Sequence, residues 1–152
     1  MSTWRENLIE DPTEAQEALL SSHRLAILGI KTEQQEDQPA FYVSEYLDKA
    51  GYDVVPVPVY YPDCKIILGK PVCRQLAEVG HVDMVVVFRR PQDIPAHLDD
   101  IIAIKPKYVW FQLGIMNQEA AETLAKAGIG VIQDKCTLVE HRRAVARERH
   151  EA

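Results

Sequence analysis

The chain has 152 residues, of which 47% are hydrophobic and 26% are charged, a composition ordinary for a soluble globular protein that buries roughly two thirds of its extended surface. Its formal net charge of −6 argues against general binding of nucleic acid or anionic membranes, because both functions require a basic surface. A local phosphate site stays compatible with this charge, since it needs only backbone N–H groups and one or two cations.

The N-terminal sequence and the cysteines favour a cytoplasmic protein. The first residues lack the basic-then-apolar pattern of a signal peptide, and no apolar run approaches the ~18 residues of a membrane span. The chain contains three cysteines: Cys64, Cys73 and Cys136. Their odd number and the lack of C-x-x-C spacing favour reduced thiols over a disulfide framework or a zinc site. We therefore expect no metal site.

The first half of the chain predicts two helices and two strands. Residues 11–14, Asp-Pro-Thr-Glu, combine an N-cap, a proline at the first helical position and an acidic residue at the third. A second helix is expected to begin at Pro39. Short apolar runs at 25–28 and 54–57 predict strands. Pro56 favours an edge position or a strand terminus for the second strand, because proline cannot donate to a neighbouring strand.

The second half repeats this alternation. Residues 58–71 predict an irregular crossover with a short strand or turn near Ile67, and residues 72–79 a short helix. Strands are predicted at 84–88, 107–111 and 131–132, each followed by a helical pattern, the last with capping-box spacing at Thr137 and Glu140. Alternating strands and helices predict a doubly wound, mostly parallel α/β sheet flanked by helices. We expect one domain, with an N-terminal helix in 1–23, a core at 24–143 and a tail at 144–152.

The common motifs of nucleotide and hydrolase sites are absent from the sequence. Gly29 stands alone after the first strand, where a dinucleotide-binding fold normally has G-x-G-x-x-G, and neither a P-loop, a G-x-S-x-G nor an H-E-x-x-H motif occurs. Cys136 and His141 lie five residues apart, so they do not share a helical face as a nucleophile and its base would. We therefore predict no catalytic residue and no standard NAD or FAD site.

Two apolar runs stop abruptly at polar residues that could bind a ligand. Residues 85–88 precede Arg89 and Arg90, and residues 109–111 precede Gln112. Continuous apolar runs suit strands buried on both faces of a parallel sheet. Ligands of open α/β sheets bind at the carboxyl ends of such strands. The sequence therefore predicts a site at this edge.

Several runs resemble the small stand-alone CoA-binding proteins, whose fold matches the CoA-binding domain of the succinyl-CoA synthetase alpha subunit. The resemblance extends over about residues 25–143 and is carried by F-R-R-P at 88–91, W-x-Q-L-G-I at 110–115 and D-x-C-x-x-x-E-H-x-R at 134–143. It implies a Rossmann-like domain that binds coenzyme A or an acyl-CoA non-covalently and has no activity of its own. A homodimer or another protein partner is left open.

The resemblance and the strand ends together define the predicted CoA site. It comprises Gly29, Ile30, Lys31, Pro39, Ala40, Val57, Pro58, Val59, Phe88, Arg89, Arg90, Gln112 and Gly114. In this interpretation the turn at Gly29 and the helix N-terminus at Pro39 approach the pyrophosphate, and Lys31 adds a charge. Residues 58–60 form an adenine slot. Gly29→Val is then expected to abolish binding at a modest loss of stability.

Structural roles compete with each of these assignments. Gly29 could serve only a tight turn, either arginine could pair with Asp83 or Asp93, and Gln112 could order its own turn. The chain also departs from the family at residues 31–38, which are longer and more acidic than usual, and at 56–59, where Pro-Val-Pro-Val replaces Pro-Val-Asn-Pro. Two other functions therefore stay open. One is a regulatory or interaction module with weak or lost ligand binding, and the other is an accessory part of an acyl-CoA ligase system.

Overall fold

The main sheet has five parallel strands. The computed structural model describes residues 3–151. In chain order the strands are β1 (Arg24–Leu28), β2 (Asp53–Val57), β3 (Ile66–Ile67), β4 (Lys70–Pro71), β5 (Met84–Val87), β6 (Tyr108–Phe111) and β7 (Gly130–Ile132). The main sheet has the order β2-β1-β5-β6-β7, and β3 pairs with β4 in a separate antiparallel hairpin. The chain thus has the predicted Rossmann-like α/β architecture.

Helices cover both faces of this sheet. They are α1 (Pro12–Ser21), α2 (Pro39–Lys49), α3 (Leu98–Ile104), α4 (Gln118–Lys126) and α5 (Thr137–Glu151), with short 3-10 segments at Trp4–Asn7, Glu33–Gln35, Leu76–Glu78, Pro91–Asp93 and Pro95–His97. One core contains Val85 and Val87 of β5 with side chains of α3 and α4. The other contains Met84 and Val86 with side chains of α1 and α2. Alternate residues of one strand therefore point into opposite cores, which explains its uninterrupted apolar sequence.

The parallel register brings four strand ends to one edge. Leu28 at the end of β1 is paired with Val57 and with Val87, and Val87 is paired with Phe111. The residues that follow these strands therefore leave the sheet side by side, as the sequence predicted. Edge position is also confirmed for β2, the strand that contains Pro56.

The helix ends confirm the predicted cap at Asp11 and overturn the one predicted at Thr137. Asp11 accepts a hydrogen bond from the Glu14 N–H at 3.3 Å, and Asn117 caps α4 in the same way. Thr137, however, is the first residue of α5 and not its cap. Its hydroxyl accepts from Gln112 Nε2 at 2.8 Å, while Glu140 accepts from Gln16 on α1 at 3.0 Å. The capping box fails because both side chains have partners outside their own helix.

Two boundaries also differ from the prediction. Phe88 lies just beyond β5, and the helix predicted at 72–79 is reduced to the 3-10 turn Leu76–Glu78. In the described part of the chain, no helix is long and apolar enough to cross a membrane. The same residues hold no group of three His, Cys, Asp or Glu side chains arranged to bind a metal ion.

Candidate functional site

A cleft of about 470 Å³ lies at the carboxyl edge of the sheet, between the N-terminus of α2 and the segments that follow β5 and β6. We call it the main cleft. Eight of the thirteen predicted site residues line it: Lys31, Pro39, Ala40, Phe88, Arg89, Arg90, Gln112 and Gly114. Residues from three separate parts of the chain thus meet here because the strand ends are in register.

A smaller cleft of about 210 Å³ lies at the ends of β1 and β2. We call it the side cleft. It is lined by the predicted residues Val57, Pro58 and Val59, together with Arg74 and His97 among others. The predicted set is therefore divided between two neighbouring cavities.

Gly29 and Ile30 are not among the residues that line either cleft. Gly29 has a φ of +88°, and a Cβ atom placed on it would lie 2.3 Å from the carbonyl oxygen of Phe88 and 3.3 Å from Cδ of Arg89. Ile30 is only 1% exposed and belongs to the core. The glycine therefore allows the turn after β1 to pass beneath the segment after β5. Because of this geometry, we expect Gly29→Val to destabilise the fold, and not at the modest cost that was expected from the sequence.

The N-terminus of α2 faces the main cleft without a side-chain cap. Gln38 occupies the cap position, but its side chain accepts no hydrogen bond from the first turn, whose Phe41 N–H donates to the Gln38 carbonyl at 2.9 Å, and the first turn carries no acidic residue. Instead, the Gln38 amide oxygen accepts a hydrogen bond from the Lys31 ammonium group. The positive end of the helix dipole and a lysine therefore occur together, an arrangement suited to an anion.

The acidic loop after Lys31 is directed elsewhere. The Glu33 carboxylate accepts a hydrogen bond from the Leu68 N–H at 2.9 Å, next to the β3–β4 hairpin. Thr32 and Gln35 form a reciprocal cap at the 3-10 turn Glu33–Gln35. None of the loop's carboxylates is among the residues that line the main cleft. The acidic side chains of this loop thus lie outside the lining of the main cleft, which the sequence could not show because it gives no direction for side chains.

Arg89 and Arg90 have different environments. The side chain of Arg89 is 15% exposed, and its Nε donates to Nε2 of His97 at 3.2 Å. Its guanidinium carbon lies 5.9 Å from the centre of the Tyr60 ring. Arg90 is 70% exposed and pairs with Asp93 at 2.8 Å, which holds the pKa of that carboxyl below its usual value. Asp93, one of the two predicted carboxylate partners, is thus paired. The Arg89–His97 hydrogen bond joins a residue that lines the main cleft to one that lines the side cleft, and we call this contact the wall between the clefts.

The residues after β6 are held mainly by the protein itself. The Gln112 side chain is buried, donates to the Thr137 hydroxyl at 2.8 Å and accepts from the Thr137 N–H at 3.3 Å. The Gly114 N–H donates to Asp134 at 2.7 Å. These contacts match the turn-ordering alternative for Gln112, and they fix the start of α5 beside the main cleft.

The sequence is similar to a known family over the region that contains both clefts. The sequence pattern of the CoA binding domain matches residues 23–142. The chain belongs to the CoA binding domain family. Its match includes β1 to β7 and both clefts, so the two cavities lie within the part of the chain that defines the family.

Relatives of the CoA binding domain family have nearly the same length as this chain. The uncharacterized protein YneT of Bacillus subtilis (strain 168) is 32% identical over 136 residues, covering 88% of this chain and 97% of YneT. The structure of cell-free ID.343 from Thermus thermophilus has 33% identity and a TM-score of 0.80, covering 89% of this chain and 99% of that one. A hypothetical protein from Pyrococcus horikoshii OT3 has 26% identity and a TM-score of 0.79, covering 90% and 93%. The two solved structures therefore share the fold over 89% and 90% of this chain.

The sequence analysis did not predict several of the residues that line the two clefts. In the main cleft these are Gln38, Tyr42, Val43, Pro91, Leu113, Ile115 and Cys136. Tyr42 is 42% and Leu113 is 69% exposed. Tyr42 lies one helical turn after Pro39, and Leu113 directly follows Gln112, so both could have been found by extending the predicted edge by one turn or one residue. Nothing in the sequence pointed to His97 or Arg74 in the side cleft.

Proposed function

We propose that this protein binds coenzyme A or an acyl-CoA non-covalently at the main and side clefts and has no catalytic activity of its own. The observation that carries this proposal is the composition of the main cleft. Lys31 and the α2 N-terminus supply positive charge, while Tyr42 and Leu113 supply exposed apolar surface. A ligand that is anionic over one part and less polar over another matches such a cleft.

The two clefts suit different parts of an elongated ligand. We assign the pyrophosphate to the α2 N-terminus, Lys31 and Arg89, because helix N-termini and cations bind anions. The pantetheine arm is assigned to the apolar wall of the main cleft. The adenine is assigned to the side cleft beside Pro58 and Val59. Arg89 lies on the wall between the clefts and so could contact the ligand midway.

The absence of catalysis is proposed from the surroundings of the residues that could act as nucleophile and base. Nδ1 of His141 is 2.7 Å from the Tyr46 hydroxyl, and burial lowers the pKa of this imidazole. Cys136 lines the main cleft, whereas His141 is not among its lining residues. The two side chains therefore do not form a catalytic pair. We also propose a cytoplasmic location, in agreement with three free cysteines.

Calorimetric titration with CoA, acetyl-CoA, pantetheine, NAD and ATP side by side tests this function. We expect CoA to bind with a Kd of about micromolar or weaker, ahead of NAD, and pantetheine to bind more weakly because it lacks the phosphates. Added salt should weaken CoA binding, since the phosphates are partly exposed charges. Binding of NAD without binding of CoA would overturn the proposal. Pantetheine binding as tight as CoA would show that the phosphates are not the anchor.

A further inference from the structure

His97 accepts a hydrogen bond from the arginine that separates the two clefts. It ends the 3-10 segment Pro95–His97 and lies directly before α3. Its Nε2 is 3.2 Å from Nε of Arg89. An arginine Nε–H can only donate, so Nε2 of His97 must be the acceptor. The imidazole is therefore neutral in this arrangement and carries its proton on Nδ1.

The charges around His97 favour the neutral form. Burial lowers the pKa of this imidazole, and the Arg89 guanidinium lowers it further, while Asp100 and Asp93 act in the opposite direction. Asp100 and Arg74 line the side cleft together with His97, and the Arg74 guanidinium donates to the carbonyls of residues 60–62. Since an unperturbed histidine titrates at about 6.5, His97 is expected to be neutral at physiological pH.

Arg89 has few other contacts that could fix its orientation. Asp93 lies 3.8 Å from its Nη2, and the Tyr60 ring centre lies 5.9 Å from its guanidinium carbon. Both contacts are longer than a hydrogen bond. Among the described residues, the bond to His97 is the one hydrogen bond that the Arg89 side chain makes. The orientation of Arg89 therefore depends largely on the acceptor nitrogen of His97.

We propose that His97 is a positioning residue for CoA binding, whose neutral imidazole holds Arg89 on the wall between the main and side clefts. The proposal rests on the proposed function and adds a residue outside the predicted site. Protonation of His97 would remove the acceptor and place a second positive charge beside Arg89. The arginine would then turn away from the wall, and binding would weaken as the pH falls through the pKa of His97.

An opposite effect must be separated from this one. A protonated His97 that touched a phosphate of the ligand directly would strengthen binding at low pH, because opposite charges attract. The phosphates also gain protons as the pH falls, which weakens binding to every variant alike. The test therefore compares variants at two pH values rather than one protein along a pH series.

The experiment measures CoA affinity at about pH 7.5 and at about one pH unit below the pKa of His97, which a ligand-free NMR titration gives first, for the unchanged protein, His97→Gln and His97→Phe. A glutamine can accept from Arg89 at both pH values, whereas a phenylalanine cannot accept at all. The unchanged protein is expected to lose about threefold to tenfold more affinity than His97→Gln at the lower pH. His97→Phe should bind weakly at both, and its melting temperature shows whether it is folded.

Each outcome is decisive. An equal pH response of the unchanged protein and His97→Gln would overturn the positioning role, and a relative gain of affinity at low pH would identify His97 as a direct phosphate contact instead. A ligand-free NMR titration tests the contact itself: the pKa of His97 should lie below 6.5 and should rise in Arg89→Met. An unchanged pKa in that variant would also overturn the proposal. If the unchanged protein binds no CoA at either pH, the proposed function fails, and the NMR titration still reports whether the Arg89–His97 pair exists.

Discussion

The two ends of the sheet use their charged residues differently. At the amino end, the Arg24 guanidinium bonds Asp53 at 3.1 Å and the carbonyls of His81, at 2.7 Å, and Val79. The Asp83 carboxylate accepts from two backbone N–H groups, those of His23 at 2.8 Å and Arg24 at 2.9 Å. These bonds connect the starts of β1, β2 and β5, so the charges here serve the fold.

At the carboxyl end the charged groups surround open space instead. Arg89 has one hydrogen bond, to His97, and Arg90 is 70% exposed with a single carboxylate partner. The α2 N-terminus has no side-chain cap. We therefore expect an arginine with several hydrogen bonds inside the protein, such as Arg24, to serve the fold, and one with a single hydrogen bond, such as Arg89, to be available to a ligand. The predictions below test this difference, from the largest expected effect to the smallest.

The largest effect is expected where two backbones come closest. Gly29→Ala would place a Cβ atom 2.3 Å from the Phe88 carbonyl oxygen, whereas Gly128, with the same φ of +88°, has nothing within 4 Å. Gly128→Ala should therefore lose only the cost of a left-handed residue, about 1–2 kcal/mol. Gly29→Ala should lose about 2–5 kcal/mol, because overpacking is added. Denaturant unfolding measures both, and equal losses would show that the turn after β1 can shift.

The second comparison replaces one arginine at each end of the sheet by methionine. Arg89→Met should lower CoA affinity about tenfold to a hundredfold, because a bond to a charged group is worth about 1.5–3 kcal/mol. Arg24→Met should leave affinity unchanged and lower the free energy of unfolding by about 1–2 kcal/mol, since carbonyls at the amino end lose their donor. Calorimetry and thermal unfolding on both variants separate the two roles. A loss of affinity in Arg24→Met would show that the ends are coupled.

The sequence was sufficient to locate the edge of the sheet that carries the clefts. Apolar runs such as 84–87 predict buried strands, and parallel strands in register must end side by side. Polar residues directly after those runs, such as Arg89 and Gln112, therefore meet at one edge. This argument needs no knowledge of side-chain direction, which is why it succeeded for most of the predicted lining residues.

Side-chain partners distant in the sequence could not be predicted in the same way. Thr137 has the spacing of a cap, yet it bonds Gln112, 25 residues earlier. The closeness of Gly29 to Phe88 depends on how β1 and β5 approach, and the contact of Arg89 with His97 depends on a short 3-10 turn. Local patterns fix the elements, whereas these contacts arise only when the elements pack.

A smaller effect with a defined pH dependence is expected at Asp83. The hydrogen bond from the Arg24 N–H is the largest cause that lowers the pKa of this carboxyl, and the His23 N–H and His81 act in the same direction. A lowered folded-state pKa stabilises the protein above the unfolded value of about 3.9, and this stabilisation is lost as the pH falls through the folded-state pKa. Asp83→Asn should therefore cost about 1 kcal/mol near pH 7 and progressively less below about pH 4.

The control for this variant is Asp63→Asn, which removes the same charge from an exposed loop residue. Denaturant unfolding of both variants and the unchanged protein between about pH 7 and pH 2 gives the comparison. A loss of stability in Asp83→Asn that is equally large at both ends of this range would show that the carboxylate does not act through its charged form.

The smallest effect on the fold is expected at Arg90. Its side chain is largely exposed and its ion pair with Asp93 is open to water, and pairs of this kind contribute little to stability. Arg90→Met should leave the melting temperature unchanged. It should also weaken CoA binding less than Arg89→Met does, because a largely exposed guanidinium loses side-chain entropy and water when it meets a phosphate. The remaining loss of affinity should disappear in high salt, which screens exposed charges. A different result would be that, in high salt, Arg90→Met weakens binding as much as Arg89→Met does. The ligand must then bury the Arg90 side chain. In that case the anionic part of the ligand lies at the outer rim of the main cleft rather than on the wall between the two clefts.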